Sequence, residues 1–144
     1  MFDYFANPTR FVRIADALFW PLVIAASGLL MAGLYYGLIA SPADYQQGET
    51  VRIMYVHVPA AWLATLGYVL MGICALFYIV WRHPLADVAL RAMAPVGAIF
   101  AMLTLVTGSL WGKPMWGAWW VWDARLTSML ILFFFYVAVI ALAN

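Results

Sequence analysis

The sequence predicts an all-α, polytopic membrane protein with four transmembrane helices. Of its 144 residues, 68% are hydrophobic and only 9% are charged, and its mean hydropathy is +0.97. A soluble domain carries about 25% charged residues, so lipid must cover much of a surface this apolar. The long apolar stretches are continuous and do not alternate with polar residues as the strands of a membrane β-barrel do, and this indicates helices.

Four stretches are long enough to cross a bilayer, because a hydrocarbon core about 30 Å thick needs roughly 20 apolar residues in a helix. We predict spans over Ala17–Ala40, Ala60–Val80, Ala92–Leu110 and Arg125–Ala143. The third span carries small or weakly polar residues, which favour close helix contacts. They are Pro95, Gly97, Thr104, Thr107 and Gly108.

The segments that precede the first two spans lead to two further predictions. Met1–Arg13 is mixed and aromatic and lacks the short basic start and cleavage site of a signal peptide. We predict that it forms a short helix lying at the membrane surface. Pro59 precedes the second span, and we predict that it occupies the first helical position, where its missing N–H costs nothing.

Basic residues indicate how the spans are oriented. One side is flanked by Arg10, Arg13, Arg82 and Arg91, and the other by Arg52, Lys113 and Arg125. Because positive charge is enriched on the cytoplasmic side, we predict a cytoplasmic N-terminus and two outward-facing loops, 41–59 and 111–124. We treat residues 1–144 as one transmembrane domain. We also expect a truncated chain, since residues 125–144 are only just long enough to cross once.

Several classes of function do not fit this sequence. A net charge of +1 argues against nucleic-acid binding, which needs clustered Lys and Arg. No Walker A, dinucleotide-binding, zinc or nucleophile-elbow motif occurs, so we expect no enzymatic activity. The spans carry no Asp, Glu, Lys, Arg or His near their centres, and this argues against an ion-coupled transporter. The one cysteine, Cys74, excludes an internal disulfide and is predicted to be a small buried hydrophobe.

Five of the eight tryptophans lie within twelve residues, at Trp111, Trp116, Trp119, Trp120 and Trp122. Exposing all five to water would forgo on the order of 20 kcal/mol, so water alone is not their environment. An aromatic belt at the membrane surface is one interpretation. The other is a platform for a flat, amphiphilic ligand, because a helix over 116–123 would place positions 116, 119, 120 and 123 on one face. The residues alone leave both open.

The same segment carries a resemblance. The string W-G-K-P-M-W-G-A-W-W-V-W-D, residues 111–123, resembles the signature of the haem-handling membrane proteins of cytochrome c maturation. Two neighbouring strings, Y-V-H-V-P-A-A-W at 55–62 and W-D-A-R-L-T-S at 122–128, are most similar to the heme exporter protein C family. The resemblance covers nearly all of the chain.

The resemblance implies a bundle of six spans in the bacterial inner membrane, whose outer tryptophan-rich loop holds haem between two outward-facing histidines. It implies delivery of the haem to a membrane-anchored periplasmic haem chaperone. The implied partners are an ATP-binding-cassette ATPase with its membrane subunit, and a very small membrane subunit. No C-x-x-C-H motif is present, so we expect non-covalent haem b. The family's second outer histidine follows the fourth span and is absent here, in keeping with truncation.

His57 is the residue that we expect to ligate the haem iron, because a neutral imidazole offers a lone pair to the metal. Without the resemblance, a lone histidine at a helix entrance is more often an ordinary interfacial residue. His83 falls on the opposite side and cannot reach the same iron, so we predict a solvated loop residue there.

The charged residues beside the tryptophans are expected to contact the haem or shape its site. Arg125 is the first choice for a haem propionate and Arg52 is a further candidate, since guanidinium groups bind carboxylates in a fork. For Lys113, attraction to lipid headgroups is the stronger interpretation. Asp123 would repel a propionate, so we predict that it caps the fourth helix and braces Arg125 or an indole N–H.

Three hypotheses about function follow. In the leading one, the protein binds haem at the periplasmic face and transfers it during c-type cytochrome maturation. In the second, it is a structural or assembly subunit of a membrane transporter complex, and its tryptophans only anchor it in lipid. In the third, it is a permease for a hydrophobic solute.

Overall fold

The computed structural model describes residues 7–143, and its regular structure is helical. Helix α1 spans Pro8–Tyr35 and continues into a π-helical turn, Tyr36–Ala40. Helices α2, α3 and α4 span Val51–Trp81, Pro84–Trp116 and Ala124–Ala143. Within the described residues, four helical segments are long and apolar enough to cross a membrane. The prediction of a polytopic all-α membrane protein is confirmed.

The helices extend beyond the apolar spans predicted from hydropathy. Helix α2 begins at Val51, and Pro59 therefore lies inside it, so the prediction that Pro59 occupies the first helical position is wrong. The two connections predicted at 41–59 and 111–124 are correspondingly shorter, covering 41–50 and 117–123. Hydropathy marks only the lipid-facing part of a helix, whereas the backbone stays helical as long as its hydrogen bonds are made.

The first described residues belong to α1. Asn7 caps the helix, because its side-chain oxygen accepts hydrogen bonds from the N–H groups of Thr9 at 3.0 Å and Arg10 at 3.4 Å. Pro8 follows at the first helical position, which suits its fixed φ. A separate surface helix over 1–13 is not found where the structure describes this segment, since residues 8–13 continue into α1. Residues 1–6 of that prediction lie outside the described residues.

Helix α3 is the centre of the bundle, and α2 and α4 both pack against it. Its contact surface consists of small residues, including Ala94, Gly97, Ala101 and Thr104, all of which are buried. Small side chains let helix backbones approach closely, so the prediction of close contacts along the third span is confirmed. Helix α1, by contrast, has no buried residue in its described length.

Tyr136 of α4 contacts both other packed helices, α2 and α3. It is completely buried, and its hydroxyl donates a hydrogen bond to the Ala64 carbonyl of α2 at 2.7 Å. Its ring fills the space beside Gly97 of α3, where a Cβ atom would lie only 2.2 Å from the ring carbons. This contact fixes the relative positions of α2, α3 and α4, and therefore of the side chains at their outer ends.

Candidate functional site: a pocket of tryptophans and one histidine

A cavity of about 300 Å³ opens at one end of the bundle, between α2, α3, the 117–123 connection and the start of α4. We call it the tryptophan pocket. Six residues that the sequence singled out line it: His57, Trp111, Trp116, Trp119, Asp123 and Arg125. Its volume is at the lower end of the range for small-molecule sites, roughly 300–1,000 Å³. The fold therefore brings together residues from two distant parts of the chain.

His57 lies in the wall of the pocket, within α2 and not at a helix entrance as the sequence indicated. Because α2 begins at Val51, His57 is in its second turn, about 9 Å along the axis at about 1.5 Å per residue. The imidazole is half-buried. Its Nδ1 atom is 3.0 Å from the Thr107 hydroxyl oxygen of α3, and its ring centroid is 6.0 Å from the Trp111 indole.

Glycines on α3 make room for these side chains. A Cβ atom at Gly108 would lie 3.1 Å from Cε1 of His57, which is tighter than ordinary packing. A Cβ atom at Gly112 would lie 3.1 Å from the Ala118 carbonyl oxygen. The absence of side chains at these two positions therefore lets the imidazole lie against α3 and lets the 117–123 connection fold back over the helix.

The tryptophans of the pocket lie on two segments, the helical end of α3 and the non-helical 117–123 connection. Trp111 and Trp116 lie in the last turns of α3, with ring centroids 5.5 Å apart in an edge-to-face arrangement. Gly117 then ends the helix with a positive φ of 76°, the left-handed conformation that glycine adopts without strain. Residues 117–123 are not helical, so the helix that would have placed positions 116, 119, 120 and 123 on one face does not form.

A polar contact from the 41–50 connection holds the first of these indoles. The Nε1–H of Trp111 donates a hydrogen bond to the Gln47 side-chain oxygen at 3.1 Å. Gln47 is itself held in a tight loop, because its backbone N–H donates to the Asp44 carboxylate at 2.8 Å. The 41–50 connection is therefore held against the end of α3 at the pocket end of the bundle.

Asp123 and Arg125 form the polar rim of the pocket. One carboxylate oxygen of Asp123 accepts a hydrogen bond from the Leu126 N–H at 2.9 Å, as an N-cap does. The other accepts from Nε and Nη2 of Arg125 at 3.0 and 2.7 Å. The Leu126 hydrogen bond, followed by those from Arg125, lowers the pKa of the Asp123 carboxyl. The predictions that Asp123 caps the fourth helix and braces Arg125 are confirmed.

The Arg125 guanidinium retains capacity for a further anion. Its ion pair with Asp123 engages two of its five N–H groups. The guanidinium carbon also lies 5.5 Å from the centre of the Trp116 ring, in cation–π range. The side chain is 77% exposed, so an acidic ligand edge at the rim of the pocket can reach it.

Other residues predicted for the site do not line the pocket. Arg52 pairs with Glu49 and donates to the Leu38 carbonyl, so it ties α2 to the end of the π-helical turn. Trp120 and Trp122 pack against each other, with centroids 5.4 Å apart. A role for these three side chains in ligand binding stays a prediction.

Lys113 also lies outside the pocket lining. Its ammonium group is 5.9 Å from the centre of the Trp119 ring, and it donates a hydrogen bond to the Gly117 carbonyl. Both contacts hold the start of the 117–123 connection against the end of α3.

Sequence reasoning missed the parts played by Gln47 and Thr107. Gln47 lies in a polar loop, and no local signal pairs it with an indole. For Thr107 a signal was present, because the stripe of small residues on α3 continues at spacings of three and four toward Trp111. The sequence therefore predicted a helix contact at Thr107 and Gly108, but it did not identify His57 as the residue in contact with Thr107.

His83 lies at the opposite end of the bundle, where it precedes α3. The prediction that it is a solvated loop residue is wrong, since the residue is half-buried and its Nδ1 atom is buried without a hydrogen-bond partner in the described structure. It lines a separate cavity with Cys74, which is also half-buried, and Phe77. His83 therefore cannot share a ligand with His57, as the sequence predicted.

Comparison with known proteins identifies the family. A family model described as heme exporter protein C matches residues 1–144. Heme exporter protein C of Bradyrhizobium diazoefficiens is 56% identical over 138 residues, covering 95% of this chain and 52% of the relative. The Escherichia coli K12 protein of that name is 51% identical over 137 residues, covering 95% and 56%. That of Paracoccus denitrificans is 44% identical over 138 residues, covering 96% and 57%.

The chain spans about half the length of the curated relatives that it matches. Within that half, the family match includes every residue of the tryptophan pocket. The chain belongs to the heme exporter protein C family.

Proposed function

We propose that the tryptophan pocket binds haem b without a covalent bond, and that the protein passes this haem on during the maturation of c-type cytochromes. The observation that carries the proposal is the convergence of one imidazole, three indoles and one exposed guanidinium on a single cavity. The names of the relatives support it, since each is called a heme exporter protein.

The side chains of the pocket fit the chemistry of haem. Haem supplies an iron that takes a nitrogen ligand, a flat apolar ring and two carboxylates. His57 would provide the nitrogen ligand, Trp111, Trp116 and Trp119 the aromatic contact surface, and Arg125 the partner for a propionate. Asp123 does not oppose this binding with a free negative charge, because Arg125 already pairs with it.

The dimensions of the pocket favour transfer over permanent storage. At about 300 Å³, it is at the small end for a ligand site, so haem ligated by His57 would keep an edge outside it. Trp119 is 55% exposed and Arg125 is 77% exposed, which leaves the rim open to a partner. We infer that this partner is a periplasmic haem chaperone, which takes the haem from the exposed edge.

The arrangement of charge supports a periplasmic location for the pocket. Four cations lie at the end of the bundle opposite the pocket: Arg82, Arg91, and Arg10 and Arg13 in the first turns of α1. The pocket end has three. By the positive-inside rule the N-terminus is cytoplasmic and the pocket faces outward from the bacterial inner membrane. We further propose association with an ATP-binding-cassette ATPase and membrane subunit pair and with a very small membrane subunit.

Two observations disfavour the alternatives. Tryptophans that only anchor a helix in lipid should resemble Trp20 and Trp62, which are 66% and 73% exposed. Trp111 is instead half-buried and hydrogen-bonded to Gln47. A permease needs a path between its helices, but Tyr136 fills the contact between α2, α3 and α4.

The proposal is tested by replacing each histidine in turn. We expect His57→Ala to lower the haem content of purified protein at least about tenfold and to remove the visible bands of a histidine-ligated haem, because the iron loses its protein nitrogen. His83→Ala is the matched control and should retain both. Haem content and absorption spectra are measured on membranes solubilised in detergent. Equal haem content in the two variants, or a colourless wild-type protein, contradicts the proposal.

A further inference from the structure

We infer that Thr107 is a positioning residue that holds His57 in the tautomer able to ligate iron. The inference rests on the proposed function and concerns a residue that touches His57 and does not line the tryptophan pocket. Thr107 lies in α3 and is buried, so water does not compete for its hydroxyl group.

The direction of the hydrogen bond follows from counting hydrogens. A threonine hydroxyl has one hydrogen to donate and two lone pairs to accept with. The Thr107 hydroxyl donates to the Leu103 carbonyl of its own helix at 2.7 Å, and carbonyl oxygens only accept. The imidazole Nδ1 atom, 3.0 Å from the same hydroxyl oxygen, must then be the donor. His57 therefore carries its hydrogen on Nδ1.

This assignment determines which nitrogen is available to a metal. A neutral imidazole with hydrogen on Nδ1 has its lone pair on Nε2, and only a nitrogen with a lone pair can bind iron. The opposite tautomer would present an N–H group from Nε2. A hydrogen bond from the remote N–H of a metal-bound imidazole also fixes the ring orientation and raises the basicity of the ligating nitrogen. Thr107 supplies the acceptor for that bond.

Helix α3 contains a matched residue that lacks this contact. Thr104 is also buried, and its hydroxyl donates to the Phe100 carbonyl at 2.8 Å, which is the same bond to the preceding turn that Thr107 makes. The described structure gives the Thr104 hydroxyl no bond to His57. Replacing either threonine by valine removes a hydroxyl from the same kind of site, but only Thr107→Val removes the hydroxyl that lies beside Nδ1. The Thr104 backbone carbonyl, which also interacts with the His57 ring, is kept in both variants.

The experiment titrates haem into the full chain, purified in detergent, as the wild type and as Thr107→Val, Thr107→Ser and Thr104→Val. We expect Thr107→Val to weaken haem binding roughly tenfold or more, the usual effect of losing such a partner, and to shift the reduction potential upward, because a less basic ligand stabilises ferric iron less. Thr107→Ser and Thr104→Val should stay within about threefold of wild type. Equal affinities and potentials in Thr107→Val and Thr104→Val would overturn the inference.

A second measurement separates the hydrogen bond from any change in packing. In a His57→Gly background, added imidazole can replace the missing ring, whereas 1-methylimidazole has no N–H left to donate once it binds iron. With Thr107 present, imidazole should bind the haem complex at least about threefold more tightly than 1-methylimidazole, the order of one hydrogen bond. With Thr107→Val this preference should disappear, and an unchanged preference contradicts the inference.

The two proposals fail in different ways. If the wild type binds haem and His57→Ala does not, but Thr107→Val matches the wild type in affinity, potential and ligand preference, the role of Thr107 is refuted and the haem site stands. If the wild type binds no haem, both are refuted.

Discussion

Each end of the bundle carries a histidine close to a proline, but the surroundings of the two histidines differ. At each end a histidine lies within two residues of a proline, in His57-Val58-Pro59 and in His83-Pro84. His57 meets indoles, an arginine and a hydroxyl acceptor for Nδ1. His83 meets Phe11, Phe77 and small residues, and its Nδ1 atom has no partner in the described structure.

On the proposed function, this difference explains why His57, and not His83, would ligate the haem iron. Both side chains line a cavity, and both are half-buried. At the pocket end, Nδ1 of His57 is hydrogen-bonded to the Thr107 hydroxyl. The cavity walls are aromatic, and the Arg125 guanidinium lies at the rim. The lining of the His83 cavity, among the described residues, includes neither tryptophan nor a cation. On the proposed function, the neighbours of His57, and not the nearby proline, distinguish it from His83.

After removal of the His57 side chain itself, the largest loss of haem affinity is expected from a substitution that displaces this side chain. Gly108→Val adds a side chain whose Cβ atom would lie 3.1 Å from Cε1 of His57, and a branched residue cannot avoid the ring. We expect haem affinity to fall roughly tenfold, as for other changes that misplace a ligating histidine. Haem titration measures the effect.

Gly72→Val is the control for this change, since nothing lies within 4 Å of a Cβ atom at Gly72 of α2. It introduces the same residue into a transmembrane helix without touching the pocket. If both variants bind haem as the wild type does, the close packing of His57 against α3 is not needed for the site.

Charge reversal of Arg125 at the rim of the pocket should have a smaller effect on haem affinity. We expect Arg125→Glu to weaken haem binding by about fivefold, because the charge-assisted hydrogen bond lost at this exposed rim is screened by solvent to about 1 kcal/mol. Arg82→Glu reverses a charge at the other end and should leave haem binding unchanged. Titrations at low and high salt measure both variants. A similar loss in the two would mean that net charge alone, and not a contact at Arg125, controls retention of haem.

The smallest effect is expected on thermal stability when Asp123 is replaced, and its size should depend on pH. Because the folded-state pKa of this carboxyl is lowered, its stabilising contribution is fully present above its unfolded pKa, about 3.9, and is lost as the pH falls through the folded value. At neutral pH, Asp123→Ala should lower the thermal midpoint slightly and Asp123→Asn less, since Asn also caps a helix.

Thermal unfolding in detergent, followed by circular dichroism, measures the difference between these variants and the wild type. At a pH well below the folded pKa, the advantage of the wild type over Asp123→Asn should disappear, because both caps are then uncharged. An unaltered difference at that pH would show that the ionised carboxylate is not what stabilises the start of α4.

Local sequence predicted much of this protein, because the properties concerned depend on neighbours in the chain. Continuous apolar stretches long enough for the bilayer predicted the four helices, and the small residues around Gly97 predicted close packing of α3. Asp123 was recognised as a cap from its position before a helix. Helix ends were predicted less well, since Val51–Pro59 is helical although it carries Arg52 and His57.

The sequence by itself determined that the chain lies in a membrane as helices and that its tryptophans need a surface other than water, since both follow from hydropathy and side-chain type. Only the tertiary structure decided which of those tryptophans surround His57, and that Gln47 and Thr107 hold Trp111 and His57 in place. These contacts join residues 50 or more positions apart. They depend on the packing of α2 and α4 against α3 around Tyr136, which sets distances that no local pattern contains.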